Sequence, residues 1–151
     1  MKATFAAGCF WHVEEIFSNT NGVTSTEVGY TGGNKDNPTY EDVCTDLTGH
    51  AEAVQVDFDP KVISYQELLK IFFDNHNPTT LNRQGPDVGT QYRSGIFFHD
   101  EEQKKIALDS IEELNPLANQ KFGTEIVTKV LPATKFFRAE EYHQKYFKKM
   151  S

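Results

Sequence analysis

Six prolines punctuate this chain, and each falls where a periodic hydrophobic pattern breaks: Asn37-Pro38, Asp59-Pro60, Asn77-Pro78, Gly85-Pro86, Asn115-Pro116 and Leu131-Pro132. Five of the six follow Asn, Asp or Gly, which favour turns, and a proline disfavours helical backbone in the residue before it. Regular elements are therefore expected between these marks. No internal repeat and no low-complexity linker separates the segments, and 151 residues make one core's worth of chain, so a single domain over 1–151 is predicted. Tyr30 to Tyr40 and Pro78 to Gln91, rich in Gly, Asn, Thr and Pro, read as long ordered loops, where function often resides.

Lys2 to Ala7 reads as a short strand stopping at Gly8. Val13, Ile16 and Phe17 then repeat at helical spacing, which puts Cys9 at a strand-to-helix turn. Val23 to Tyr30 is a predicted strand, and Glu52 to Phe58 is a clearer one, with Val54, Val56 and Phe58 on one face and Glu52 sharing their parity. Ser64-Tyr65-Gln66-Glu67 is a capping box that starts a helix ending at Asn77-Pro78. Gln91 to His99 reads as a strand with Tyr92, Ser94, Ile96 and Phe98 on one side, and Asp100 to Asn115 as a helix. Glu125 to Leu131 reads as a further strand and Ala139 to Lys149 as a terminal helix whose lysines suit the negative end of its dipole. Strands and helices without strict βαβ alternation predict an α+β fold, helices packed on a mostly antiparallel sheet.

Hydrophobic residues at 38%, with 12 Phe, are enough to fill a core. The net charge of −7, without any dense basic run, argues against nucleic acid as a partner. Apolar stretches fall short of the ~18 residues that span a bilayer, and Met1-Lys2-Ala3-Thr4-Phe5 leads into folded-looking sequence without a signal-peptide core. The expectation is a soluble, cytoplasmic protein with no membrane partner. Two cysteines, Cys9 and Cys44, without C-x-x-C spacing, are too few for a disulfide framework and should be thiols. His12, His50, His76, His99 and His143 lack H-x-x-x-H and H-x-H spacing, so no metal site is expected and most read as surface or capping residues.

A thiol in the first turn of a helix faces unpaired N–H groups and the positive dipole end, which favour thiolate and can bring its pKa below the ~8.5 of free Cys. Cys9 has that placement, and Phe10 and Trp11 beside it could wall a site for a small apolar group such as a methyl. Burial of all three as ordinary core is the open alternative. A carboxyl on the apolar parity of a strand should have a raised pKa and could donate a proton near neutrality, as Glu52 would unless fraying exposes the strand's start. Tyr40, Tyr92 and Asp87, in or beside the long loops, could bond an oxygen that gains charge or hold a water. His12 and His50 are conceivable bases for Cys9, and Cys44 reads as a small buried residue or a redox partner.

Gly8-Cys9-Phe10-Trp11, Gly29-Tyr30-Thr31-Gly32-Gly33, Tyr40-Glu41-Asp42-Val43-Cys44, Gly49-His50-Ala51-Glu52-Ala53-Val54, Asp87-Val88-Gly89-Thr90-Gln91-Tyr92-Arg93-Ser94 and Glu140-Glu141-Tyr142-His143-Gln144 together resemble the peptide methionine sulfoxide reductase A family. The resemblance runs from about Phe5 to Tyr146. It implies a two-layer α/β sandwich, with the active-site Cys at the N-terminus of the first helix. The implied activity is reduction of the S epimer of methionine sulfoxide, free or in proteins. The implied roles are Cys9 as nucleophile, Phe10 and Trp11 as methyl-binding walls, Glu52 as acid, and Tyr40, Tyr92 and Asp87 as ligands of the sulfoxide oxygen and water.

The resemblance also implies no bound metal, flavin or nicotinamide; a monomer is expected, recycled by an external thiol such as thioredoxin, glutaredoxin or a small thiol. Many relatives carry Gly or a resolving Cys where this chain has His12, and others carry resolving cysteines in a tail beyond the point where this sequence stops, at Ser151. An external thiol is therefore expected to reduce the Cys9 sulfenic acid, with a Cys9–Cys44 disulfide as the alternative. Two rival readings remain: a Cys–His acyl-transfer enzyme with His12 or His50 as base, and a non-catalytic module that binds methionine-like side chains.

Overall fold

The structure is a computed structural model and describes residues 1–150. Strand β1 (Lys2–Ala7) passes through Gly8 and Cys9 into helix α1 (Phe10–Ser18), followed by β2 (Val23–Thr31), a short α2 (Tyr40–Cys44), β3 (Ala51–Phe58) and α3 (Tyr65–Asp74). Two short paired strands, β4 (Arg83–Gln84) and β5 (Asp87–Val88), precede β6 (Ser94–Phe98), α4 (Glu101–Phe122), β7 (Lys129–Pro132), β8 (Phe137–Arg138) and α5 (Tyr146–Met150). The main sheet has the order β7-β6-β1-β3-β2-β8, antiparallel except for the β6/β7 pair. This is the expected α+β arrangement.

Period-two alternation builds the core. Ala3 and Phe5 of β1, Val28 and Tyr30 of β2, and Val54, Val56 and Phe58 of β3 share one buried face with Phe17 of α1 and Leu68, Leu69 and Phe72 of α3. Phe5 stacks on Phe17 at 5.1 Å and on Phe72 at 5.2 Å between centroids. The opposite face carries small residues, Ala6, Ala51 and Ala53, closed by Phe97 with Phe136 packed against them. The Ser64 capping box forms as predicted: its hydroxyl accepts the Glu67 N–H, and the Glu67 side chain accepts the Ser64 N–H.

Four predicted boundaries differ. Helix α4 runs through Asn115-Pro116 to Phe122, because Pro116 and Glu112, whose carbonyl loses its usual donor, both face solvent; Gly123, at φ 79°, ends the helix. The strand expected from Glu125 starts only at Lys129: the Ile126 N–H goes to the Asn115 side chain and the Val127 N–H to the Pro78 carbonyl, so neither joins the ladder. The strand expected from Gln91 starts at Ser94, since Thr90–Tyr92 forms a 3-10 turn in which the Tyr92 N–H bonds the Gly89 carbonyl. The terminal helix expected over Ala139 to Lys149 is a 3-10 turn at Glu141–His143 and then α5, broken at Lys145 with φ 51°. Side chains outcompete helix there: Gln144 bonds both the N–H and the C=O of Val28, and Glu14 accepts the Lys145 N–H. Glu140 to Tyr146 is thus a strap tied across β2 and α1.

Candidate active site

Cys9 occupies the N-cap of α1, partly exposed, with its side chain capping nothing. Gly8 before it has φ +87°, and a Cβ there would lie 2.8 Å from Cβ and Cγ of Gln84. Gln84 is fixed in turn, donating to the Asn77 carbonyl at 2.9 Å and accepting the Asn77 N–H at 3.0 Å. The β4–β5 hairpin therefore seats against the Cys9 turn, and its second strand carries Asp87. Gly8→Ala is expected to cost roughly 1–3 kcal/mol and to depress activity by lifting this hairpin, as read by thermal melts and turnover. An unchanged melting temperature would contradict it.

Burial pushes the Cys9 thiol above its ordinary value, and the negative charges of Glu52 and Asp87 add to this, while the N–H groups of Trp11 and His12 pull it down. The helix N-terminus alone had suggested a lowered pKa; burial and two carboxyls outweigh it in the free protein. When Glu52 is neutral its share of that opposition vanishes.

Glu52 lies opposite Tyr30 at the start of β3, 1% exposed, so its strand end does not fray into solvent. Oε1 accepts the Phe10 N–H at 3.3 Å, while Oε2 has no partner among the described residues. Burial raises its pKa to about 8 against the pull of the Phe10 N–H, with Asp87 adding to the rise. At pH 7 this is a neutral acid with a free oxygen to carry its proton.

Tyr40 opens α2, where Thr39 and Asp42 form a reciprocal capping box in a stretch read as loop up to Tyr40. Its N–H goes to Glu140 Oε2 at 3.0 Å, and Glu140 Oε1 accepts the Tyr30 hydroxyl at 2.9 Å. The Tyr92 hydroxyl and the Cys44 thiol both act electrostatically on the Tyr40 hydroxyl. Burial keeps both tyrosines protonated, Tyr92 pushed up to about 12. Glu52 acts electrostatically on Cys9, Tyr40 and Tyr92, and Asp87 on Cys9, Glu52 and Tyr92, so the fold brings these five into one cluster.

Phe10 is buried against Tyr30 and His143, while Trp11 is only partly covered. Cys44 is exposed at the end of α2 rather than buried as the sequence suggested, because α2 turns its last residue outward and buries Val43 instead. His12 and His99 lie at the surface and His76 bonds the Phe72 carbonyl at the end of α3, as read, whereas His50 and His143 are buried. His50 is buried, Nδ1 accepting the Gly33 N–H and Nε2 bonded to the Lys35 carbonyl, so neither nitrogen is free to serve Cys9. His12 is exposed, with no hydrogen bond orienting it among the described residues, so the triad an acyl-transfer enzyme needs is not assembled. A cleft of about 530 Å³ between α3 and α4, lined by Leu69, Lys70, Phe73 and Leu114, holds no thiol and no buried carboxyl. Sequence reading gave no role to Tyr30, Glu140, His143 or Tyr146. The signals were the Gly29-to-Gly33 and Glu140-to-Gln144 motifs, and the second one's disguise as a helix hid where its side chains go.

The peptide methionine sulfoxide reductase family matches residues 1–151. This chain belongs to that family. It is 58% identical over 148 residues to the peptide methionine sulfoxide reductase MsrA of Methanothermobacter thermautotrophicus, covering 98% of this chain and 86% of that one. The methionine sulfoxide reductase A structure of Corynebacterium diphtheriae superposes with a TM-score of 0.94 at 36% identity, over 98% of this chain and 74% of that one. Reduced Mxr1 of Saccharomyces cerevisiae gives 0.91 at 42% identity over 99% and 84%, and Mxr1 has also been crystallised in complex with Trx2, where the TM-score is 0.68 at 31% identity over 97% and 84%. The family is one of oxidoreductases.

Proposed function

We propose that this member of the peptide methionine sulfoxide reductase family reduces the S epimer of methionine sulfoxide, free or in proteins, to methionine, with Cys9 as nucleophile. The observation that carries this reading is Glu52: a buried carboxyl, neutral at pH 7, whose Oε2 has no partner among the described residues and whose charge, when present, acts on the Cys9 thiol. The Cys9 thiolate attacks the sulfoxide sulfur, and the S–O bond polarises. Oxide is too basic to leave as such, so Glu52 gives it a proton while the Tyr40 and Tyr92 hydroxyls donate to the developing charge. Asp87 holds a water beside them. The bond formed between the Cys9 sulfur and the substrate sulfur then breaks as the protonated oxygen passes to Cys9, giving sulfenic acid: the substrate sulfur is reduced by two electrons, the Cys9 sulfur is oxidised by two, and methionine departs. Phe10 and Trp11 receive the methyl group.

An external thiol then attacks the sulfenic acid and releases water, and a second thiol resolves the mixed disulfide. The Trx2 complex of yeast Mxr1 supports a thioredoxin-like reductant. The exposed Cys44, beside the Tyr40 hydroxyl, supports a second route, an internal disulfide.

Mixing reduced protein with the S epimer and no reductant should release one methionine per chain, with one oxygen gained on Cys9 by intact and peptide mass. A loss of two hydrogens instead would assign resolution to Cys44. No methionine from the S epimer, or equal release from the R epimer, would overturn the proposal.

A further inference from the structure

The Trp11 indole is held from two sides by the strap. Tyr146 lies flat against it, 3.8 Å between centroids and 9° between planes, and the indole N–H donates to His143 Nδ1 at 2.9 Å. An indole nitrogen can only donate, so Nδ1 is unprotonated and a neutral His143 carries its proton on Nε2. The ring is 1% exposed, and Nε2 has no partner among the described residues. Phe10 and Tyr40 also touch it, at 5.2 and 4.6 Å between centroids. His143 thus contacts three residues of the site through one ring. The strap fixes that ring through Glu140 on Tyr30 and Tyr40, Gln144 on Val28, and Lys145 on Glu14.

We propose that neutral His143 is a positioning residue, its Nδ1 setting the angle at which the Trp11 indole receives the methyl group of the sulfoxide. This rests on the function proposed above. Protonating Nδ1 removes the acceptor and places a cation among Phe10, Trp11 and Tyr40, so the methyl site is lost on acidification. The titratable groups around the ring are Glu140 and Tyr142 of the strap and Tyr40 of α2; Tyr30 of β2 shares the Glu140 carboxylate, and α1 presents only the uncharged rings of Phe10 and Trp11. Burial holds His143 below its ordinary 6.5, with Glu140 pulling the other way, so the change falls on the acid side.

Trp11 is the only tryptophan, and its emission reads the contact without turnover. Wild-type emission should titrate with a midpoint below pH 6.5 while far-UV circular dichroism stays constant. His143→Asn keeps an acceptor near Nδ1 and does not titrate, so its emission should be flat over the same range. With dithiothreitol as reductant, His143→Leu should raise KM for the S epimer about tenfold with kcat nearly unchanged, and His143→Asn should restore KM and remove the acid limb of kcat/KM. Identical titration of wild type and His143→Asn, or an unchanged KM in His143→Leu, would overturn the proposal. If the protein reduced no sulfoxide at all, the emission titration would still decide the Trp11–His143 contact, so the two failures are separable.

Discussion

Glu52→Gln should slow sulfoxide reduction by about 10²–10⁴-fold and at the same time stabilise the fold. Both effects come from one buried proton. The carboxyl has an ordinary value of 4.5, which the unfolded chain would keep, and about 8 when folded. Between these values the unfolded chain has released the proton and the folded chain has not, so stability falls as pH rises from 4.5 to 8. The deficit is about 3 kcal/mol at pH 7 and about 5 above pH 8. Gln is neutral throughout, and its carbonyl can still accept the Phe10 N–H. The variant should therefore melt roughly 10 °C above wild type at pH 8 and level with it at pH 4. His76 supplies an opposite slope: buried between the Phe72 carbonyl and the Ser94 hydroxyl, it is pushed down to about 4, so it favours the fold increasingly from pH 4 to 6.5. In wild type the Glu52 fall opposes this rise between pH 4.5 and 6.5; in Glu52→Gln the rise, to which the lowered His99 and His143 add, should be left without that opposition. Wild-type activity should fall as pH climbs through about 8, where the acid ionises. Equal melting temperatures at pH 8 would remove the buried-acid argument.

Cys9→Ser should lower turnover by more than about 10⁴-fold, because a serine hydroxyl neither ionises near neutrality nor accepts the oxygen. Stability should not suffer. Cys9 stands at the N-cap of α1 without capping it, and serine is among the best residues there, so the variant should match or exceed wild type by up to about 1 kcal/mol. A melt alongside the methionine assay checks both, and an active Cys9→Ser protein would end the nucleophile assignment. The helix start carries a poor cap, and the sheet a poor core residue, at the two positions the chemistry uses most.

Where local rules decide, the sequence was readable. The alternation of Val54, Val56 and Phe58 placed Glu52 on the buried face, and the Ser64 box set the start of α3. Tertiary contacts decided the rest. The N-terminus of α1 predicts a lowered Cys9 pKa, but only the folded sheet and hairpin show how deeply the sulfur sits and how near Glu52 and Asp87 come. Pro116 reads as a stop until its side of α4 is seen to face water. The strap reads as a helix because nothing local reveals that Gln144 will bond Val28 and Glu14 will take the Lys145 N–H. Tyr40, Tyr92 and Asp87 were legible as residue types in loops, but their convergence on one space was not.

The hydrogen bonds that shape the site join residues far apart in the chain: 42 positions between Phe10 and Glu52, 100 between Tyr40 and Glu140, and 132 between Trp11 and His143. Such non-local closures are completed late in folding, after the loops between them have been closed at an entropic cost. Activity in this fold therefore reports completion rather than mere compactness. A chain whose sheet had formed but whose last residues were still unattached would keep its thiol and lack the surroundings that make it useful.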